Sequence, residues 1–176
     1  MLPALVLMSQ LALGGTLAGV TLPDTATVGG EPLVLNGMGL REKFFIDVYV
    51  GGLYVKHKST DAKALIAADE PKRIVMHFIY SSVPKSKVIS TWREAFAANG
   101  GGDLTREIGQ LESWLVDFTT GDEVVMDYVP GKGTTFTVKG VEKGTIPGEA
   151  FMKALWSVYL GDSPPTRAFK DGILGK

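Results

Sequence analysis

The chain has 176 residues, of which 45% are apolar and 21% charged, and its formal net charge is -1. This length and composition predict one globular domain and argue against a disordered, collagen-like or coiled-coil chain. No basic run is present, so the sequence predicts no nucleic-acid partner. The absence of cysteine excludes disulfides, thiolate metal ligands and a cysteine nucleophile.

The N-terminal segment is typical of an export signal. Residues Leu2–Val20 carry no charge, and the segment is apolar at first and rich in small residues toward its end. This pattern predicts a signal peptide over residues 1–19, cleaved near Ala18 or Gly19 and followed by one domain over 20–176. The usual basic residue at the start of a signal is missing. A buried N-terminal helix and a retained membrane anchor are therefore the alternatives.

The first half of the domain is predicted to consist mostly of strands. The segment Val20–Val28 is polar and interrupted by Gly and Pro, which is typical of a linker or an edge strand. β-Branched and aromatic residues predict strands at Pro32–Leu40, Lys43–Val55 and Lys72–Tyr80. A short helix at Thr60–Ala68 is predicted between the second of these strands and the third.

The second half is predicted to contain helices around a hairpin. The predicted helices are Pro84–Asn99, one that Asp103 caps and whose apolar stripe runs to Phe118, Pro147–Leu160, and a last short helix that Ser163 caps. The hairpin joins Glu123–Val129 to Thr134–Lys139. Strands at both ends with helices between and after them predict an α+β fold, in which an antiparallel sheet is covered by helices on one face.

No cofactor motif is recognisable in the sequence. The run Gly100–Gly102 lacks the Lys-Ser/Thr pair of a phosphate-binding loop, and Gly37 and Gly39 precede a strand rather than the helix of a dinucleotide site. The two histidines, His57 and His77, are far apart in the sequence. We therefore predict no cofactor and no metal centre.

Three segments carry a resemblance to a known family. They are Asn36–Val55, Ile74–Phe96 and Thr120–Pro164, which together span nearly all of the predicted domain. The chain resembles the chalcone isomerase-like family, and within it the bacterial exported branch. The resemblance implies an open-faced β-sandwich, with a large antiparallel sheet under a helical layer and a ligand cleft between them. Together with the predicted signal it implies a periplasmic protein.

The resemblance also implies roles for two residues of the long strand region. The catalytic or carboxylate-binding arginine of the family corresponds to Arg41. A guanidinium suits this role because it stays charged when partly buried and can donate two hydrogen bonds to one oxyanion. A threonine of the plant enzyme corresponds to Tyr49, which can still donate a hydrogen bond. The alternatives are a surface ion pair for Arg41 and simple packing for Tyr49.

Four further positions complete the site that the resemblance implies. The family's catalytic tyrosine corresponds to Pro84, which cannot donate a hydrogen bond, and Tyr80 is the nearest upstream residue that could replace it. An asparagine or threonine position of the family corresponds to Thr91, and a serine or threonine position corresponds to Ser163. Without the tyrosine, polarisation of an enone oxygen is weakened, so we expect no useful turnover of simple chalcones.

Three functions are compatible with these residues. The preferred hypothesis is non-catalytic binding of a small organic acid or fatty acid in a cleft near Arg41, because some relatives with this fold bind fatty acids. The first alternative is an intramolecular lyase or isomerase acting on a chalcone-like or other enone substrate. The second is a structural subunit without a ligand. We expect no stable membrane insertion after signal cleavage, and the sequence identifies no protein partner.

Overall fold

The computed structural model describes residues 14–176. Within that range the elements are β1 (Gly15–Leu17), β2 (Val20–Leu22), β3 (Thr25–Val28), β4 (Glu31–Lys43), β5 (Ile46–Val55), α1 (Ala62–Ala67), β6 (Lys72–Phe78), α2 (Lys85–Ala98), α3 (Thr105–Trp114), β7 (Glu123–Val129), β8 (Gly133–Val138), β9 (Val141–Ile146), α4 (Glu149–Leu160) and α5 (Arg167–Ile173).

Strands β3 to β9 form one seven-stranded sheet, in which each strand pairs antiparallel with its neighbour in sequence. Strands β1 and β2 form a separate two-stranded hairpin. Helices α2 and α3 lie between β6 and β7 in sequence, and α4 and α5 follow β9. The predicted α+β class with a large antiparallel sheet is therefore confirmed.

The two faces of the sheet bury cores of different size. The face under the helices buries the larger one, which contains most of the bulkiest enclosed side chains: Trp156, Tyr159, Phe78, Phe96, Phe118, Phe136, Phe151 and Phe169. The opposite face buries a smaller cluster that includes Val20 and Leu22 of the β1–β2 hairpin. Alternation along β5 supplies both, since Leu53 belongs to the large core and Tyr54 to the small one. Helices thus cover one face, as the open-faced sandwich requires.

Helix α2 lies where the sequence predicts it, with Pro84 as its N-cap and Asn99 as its C-cap. The predicted cap of α3 is wrong. That helix begins at Thr105, and its N-cap is Leu104 rather than Asp103. The reason is that the Leu104 carbonyl accepts the first helical hydrogen bond, from the Ile108 amide at 2.9 Å.

The predicted cap of the last helix is also wrong. Helix α5 begins after Thr166, whose hydroxyl accepts a hydrogen bond from the Phe169 amide at 3.0 Å. Ser163 lies three residues earlier, and its backbone is bound by the side chain of Asn99 instead. Each residue that precedes a proline is disfavoured in the helical region, so the segment Ser163–Pro165 delays the start of the helix.

The predicted strand Lys43–Val55 begins later than expected. Strand β4 ends at Lys43, Phe44 and Phe45 form a two-residue turn, and β5 begins at Ile46. Both phenylalanines have positive φ, 50° and 64°. The sequence pattern assigns them to a strand because aromatic residues favour strands and the usual Asn-Gly marker of such a turn is absent.

Most of the predicted signal peptide, residues 1–13, lies outside the described residues. Its last part is described: Gly15–Leu17 forms β1, paired with β2. Across residues 14–176, no helix has the length and apolar character needed to cross a membrane. The same range holds no group of three or more His, Cys, Asp or Glu side chains placed to bind a metal ion.

Candidate functional site

A cavity of about 580 Å³ lies on the helix-covered face of the sheet, between the strands β4, β5 and β6 and the helix α2. Its wall is completed by α4 and by the segment before α5. All five predicted site residues line this one cavity, and so does the proline that the resemblance aligns with the family's tyrosine: Arg41, Tyr49, Tyr80, Thr91, Ser163 and Pro84. The volume is within the range of about 300–1,000 Å³ that is usual for small-molecule sites.

Arg41 is fixed near the end of β4 by hydrogen bonds to its own chain. Its Nη1 donates to the carbonyl of Glu42 at 2.8 Å and to the carbonyl of Pro165 at 2.7 Å. A β-bulge follows at once, because Arg41 pairs with Tyr49 while Glu42 pairs with Asp47. The extra residue of β5 bends the strand here, as bulges do. The guanidinium is therefore held between the strand end and the loop before α5.

The rest of the Arg41 guanidinium is open. Its Nε and Nη2 have no hydrogen-bond partner among residues 14–176, and no carboxylate of that range lies within 4.0 Å of it, the limit for an ion pair. Two other arginines show how the Nε and Nη2 side of a guanidinium, which we name the two-point edge, can bind a carboxylate. Arg73 and Arg93 each donate from Nε and Nη2 to the two oxygens of one carboxylate. Arg41 presents the same two-point edge without a carboxylate of the described chain.

Tyr49 is the cross-strand partner of Arg41 and lies beneath it in the large core. Burial raises the pKa of the Tyr49 phenol well above its usual value, although the nearby Arg41 charge lowers it. Its hydroxyl has no partner among residues 14–176. The enclosed side-chain polar atoms that lack a partner in this range are Thr134 Oγ1 and Trp156 Nε1, so the Tyr49 oxygen is accessible from the cavity. A neutral phenol in this position is a hydrogen-bond donor rather than a base.

A third tyrosine, Tyr159 of α4, also lines the cavity, and the sequence analysis did not identify it. It is fully enclosed, and its hydroxyl contacts the Met76 sulfur at 3.2 Å. Burial raises the pKa of the Tyr159 phenol well above its usual value, and the electrostatic effect of the nearby Tyr49 raises it further. A signal for it existed, because Tyr159 lies four residues after Leu155, on the helix face that points inward.

Tyr80 and Pro84 belong to the segment between β6 and α2. A short antiparallel bridge fixes this segment, since Val83 and Phe118 exchange backbone hydrogen bonds of 2.8 and 2.9 Å. Tyr80 remains 40% exposed. The Lys85 amide at the start of α2 donates to an Asp117 oxygen at 2.7 Å, so Pro84 stands in a well-defined place. Pro84, which the resemblance aligns with the family's tyrosine, thus lines the cavity without a hydroxyl.

Thr91 and Ser163 line the cavity from α2 and from the segment before α5. A reciprocal contact joins these two elements: the Asn99 side chain donates to the Ser163 carbonyl at 3.0 Å and accepts from the Ser163 amide at 3.2 Å. This contact uses only the backbone of Ser163. The Thr91 and Ser163 hydroxyls make no hydrogen bond with residues 14–176, so both remain available to a ligand.

The exposed residues of the lining, which we name the rim, carry charges of both signs. They include Lys43, Phe44, Lys87 and Glu94. Counted with Arg41, three cations face one carboxylate. The interior is mostly apolar, and its apolar residues include Val48, Met76, Phe78, Val83, Val88, Trp92, Ala95 and Val158. The cavity can thus hold an apolar group and an anion together.

Comparisons with known proteins agree with this architecture. The model of a family described as chalcone isomerase-like matches residues 14–175. A solved structure of a fatty-acid binding protein from Arabidopsis thaliana has the same fold, with a TM-score of 0.72 and 17% sequence identity. The similarity covers 89% of this chain and 92% of that protein. No curated protein matches the sequence.

Proposed function

We propose that this chain, which belongs to the chalcone isomerase-like family, binds a small organic acid with an apolar tail and releases it unchanged. The observation that carries the proposal is the open edge of Arg41. Its Nε and Nη2 lack a carboxylate of residues 14–176, whereas its Nη1 is anchored to two carbonyls. An anchored guanidinium with a free two-point edge is preorganised for a carboxylate.

The remainder of the cavity fits the tail of such an acid. Its lining beyond Arg41 is mainly aliphatic and aromatic, and burial of each methylene contributes about 0.8 kcal/mol. The fold-related protein from Arabidopsis thaliana is a fatty-acid binding protein, which supports the same ligand class. We therefore propose a fatty acid or a similar organic acid.

Polar neighbours of Arg41 would complete the recognition of the acid. The Tyr49 hydroxyl, whose raised pKa keeps it protonated, would donate a hydrogen bond to a carboxylate oxygen. The Thr91 and Ser163 hydroxyls, both free of partners within residues 14–176, would bind the same group directly or through water. Tyr80, at the exposed side, would contribute less.

Binding is favoured over catalysis by what the lining lacks. The resemblance aligns Pro84 with the tyrosine of the family's enzymes, and a proline in the lining offers no hydroxyl at that position. Among residues 14–176, Glu94 is the one carboxylate of the lining, and it belongs to the exposed rim. A neutral Tyr49 would stabilise a bound anion but would not remove a proton at neutral pH.

The experiment that tests this function is a titration with decanoate and, separately, with decanol. Trp92 lines the cavity, so its fluorescence provides a readout. We expect Arg41→Ala to weaken decanoate binding about 30-fold, or about 2 kcal/mol, the lower end for truncating one partner of a charge pair. Arg41→Lys should recover part of the affinity, because an ammonium cannot form the planar two-point contact. Decanol binding should hardly change.

The alcohol separates the acid contact from a structural effect. If Arg41→Ala displaces the Pro165 loop, both ligands lose affinity, and the carboxylate assignment is wrong. Arg106→Ala is the matched control, since Arg106 is exposed and lies outside the cavity lining. Loss of the enone absorption of a chalcone, abolished by Arg41→Ala, would replace the binding proposal with an enzymatic one.

We further propose that the chain is exported to the periplasm by the uncharged N-terminal segment. Cleavage near Ala18 or Gly19 would remove β1, whereas cleavage before Gly14 would leave it in the mature protein. N-terminal sequencing of the protein from fractionated cells distinguishes these outcomes. An intact Met1 on cytoplasmic protein would contradict export.

A further inference from the structure

Among residues 14–176, four hairpins are closed by two-residue turns in which both residues have positive φ. These turns are Ala18-Gly19, Gly29-Gly30, Phe44-Phe45 and Lys139-Gly140. Three of them place glycine second, which is the usual chemistry of this turn. The Phe44-Phe45 turn, which we name the aromatic turn, has a bulky residue at both positions. Left-handed backbone is strained for such residues.

Packing within the described chain does not compensate for this strain. The side chains of Phe44 and Phe45 are 84% and 101% exposed, and Ile46 beside them is 41% exposed. Among residues 14–176, the one contact recorded for these rings is a cation–π contact: the Lys43 ammonium lies 6.0 Å from the centre of the Phe44 ring. A local rule of turn chemistry is therefore broken in favour of exposed apolar surface, which indicates a function rather than a role in folding.

The position of the aromatic turn points to the same conclusion. Lys43, Phe44 and Ile46 all belong to the cavity lining. Phe44 is therefore part of the rim, and Phe45 follows it in the turn, on the exposed side of the cavity.

We propose that the aromatic turn docks on a lipid bilayer, with the rings of Phe44 and Phe45 inserted at the boundary between headgroups and acyl chains. The apolar tip is narrow, because it is flanked by the charged residues Lys43 and Asp47. A stable protein interface buries about 1,600 Å² in total, far more than two turn residues supply. A bilayer, by contrast, accepts a narrow apolar projection.

The charges around the tip are arranged for shallow insertion. Lys43 precedes the rings and can extend its ammonium to lipid phosphates. Glu42 and Asp47 are cross-strand partners one position further from the tip, so their carboxylates stay among the headgroups when only the rings are inserted. Docking in this orientation places the rim of the cavity against the bilayer. The inference goes beyond acid binding, since docking needs no ligand in the cavity.

The test is co-flotation with vesicles of phosphatidylcholine containing about 30% phosphatidylglycerol, without added fatty acid. We expect wild-type protein to float with the vesicles. Phe45→Gly and the double variant Phe44→Asn/Phe45→Gly should bind at least about tenfold more weakly, because each buried ring contributes that much. Both should melt at an equal or higher temperature than wild type, since they relieve the strained backbone. Weaker flotation from misfolding is thereby excluded.

A matched control is Val141→Ser, which removes an exposed apolar side chain (56% exposed) at the β8–β9 hairpin. It should leave flotation unchanged. In the Phe45→Trp variant, brominated lipids should quench the fluorescence of the introduced tryptophan only when the protein is bound to vesicles. Two results would overturn the proposal: wild-type protein that stays in solution, or flotation that the glycine variant retains. Loss of a dimer in Phe45→Gly, without vesicle binding by wild type, would assign the turn to contact between copies.

Failure of docking and failure of acid binding are distinguishable. Phe45 is not part of the cavity lining, so Phe45→Gly should keep the wild-type affinity for decanoate. Vesicle binding without decanoate binding would refute the proposed binding of an organic acid and would leave the proposed bilayer contact unaffected. The reverse result would refute docking alone.

Discussion

Two cations lie at opposite ends of the helix-covered face of the sheet, and their surroundings differ. Arg41 pairs with Tyr49, which in turn pairs with Phe78 at the last residue of β6. Lys72 is the first residue of β6 and pairs with Tyr128. Both side chains bring a charge next to the large core. Their hydrogen bonds show that the two charges serve different purposes.

Lys72 is enclosed, with 2% of its surface exposed, and its partners are internal. Its Nζ donates to the carbonyls of Leu65 and Ala68 at 2.7 and 2.8 Å, at the end of α1. It also lies over the rings of Tyr128 and Trp156, at 5.8 and 5.4 Å. These contacts compensate for a desolvated ammonium. Arg41, by contrast, uses one nitrogen internally. Lys72 therefore stabilises the fold, whereas Arg41 keeps its Nε and Nη2 without a partner among residues 14–176, as the proposed acid binding requires.

The largest effect expected from this comparison is on stability. Lys72→Ala should lower the free energy of unfolding by about 3 kcal/mol, because it removes two charge-assisted hydrogen bonds and the packing of a buried stem. Arg41→Ala should lower it by about 1 kcal/mol, since the Pro165 loop that it binds is only partly buried. Urea denaturation of both variants measures the difference.

The control for this pair is Lys56→Ala. Lys56 lies 3.7 Å from Glu31 on the surface, and such a pair contributes less than about 1 kcal/mol. If Arg41→Ala proved as destabilising as Lys72→Ala, Arg41 would be a structural residue and the distinction between the two ends of the sheet would fail.

Much of the fold could be predicted because local signals and burial agree. Helix α2 follows from its caps Pro84 and Asn99, and α4 from a compact apolar face. Strand β9 (Val141–Ile146) was missed, because an edge strand with one buried residue lacks the alternation that marks a half-buried strand. The aromatic turn was missed because its residues favour strands and its geometry is imposed by the register of Lys43 with Ile46.

The candidate site was predictable in its members and not in its contacts. The resemblance supplied Arg41 and the other four residues, which the fold brings to one cavity. The hydrogen bond from Arg41 to Pro165 joins positions 124 residues apart, and no local pattern encodes it. The open edge of the guanidinium is likewise a property of the folded chain, since it depends on where every carboxylate lies.

The smallest expected effect concerns the pH dependence of stability, and it tests whether Lys72 is as desolvated as its contacts indicate. Burial lowers the pKa of Lys72 from 10.5 to about 8, although the nearby Glu70 and Asp69 raise it. In the unfolded chain the group has its ordinary pKa, so between pH 8 and 10.5 the unfolded state binds more protons than the folded one. Stability must then rise with pH in this window.

The gain in wild-type protein should be about 1 kcal/mol between pH 7 and pH 9, measured by urea denaturation against Lys72→Met, which has no titratable group at this position. The range must end near pH 9. Tyr54, for example, has a pKa raised to about 12 by burial, so above pH 10 it loses its proton in the unfolded state first and lowers stability. If the free energy of unfolding depends on pH in the same way in wild type and Lys72→Met, water reaches the Lys72 ammonium. The ammonium would then be less buried than its hydrogen bonds indicate.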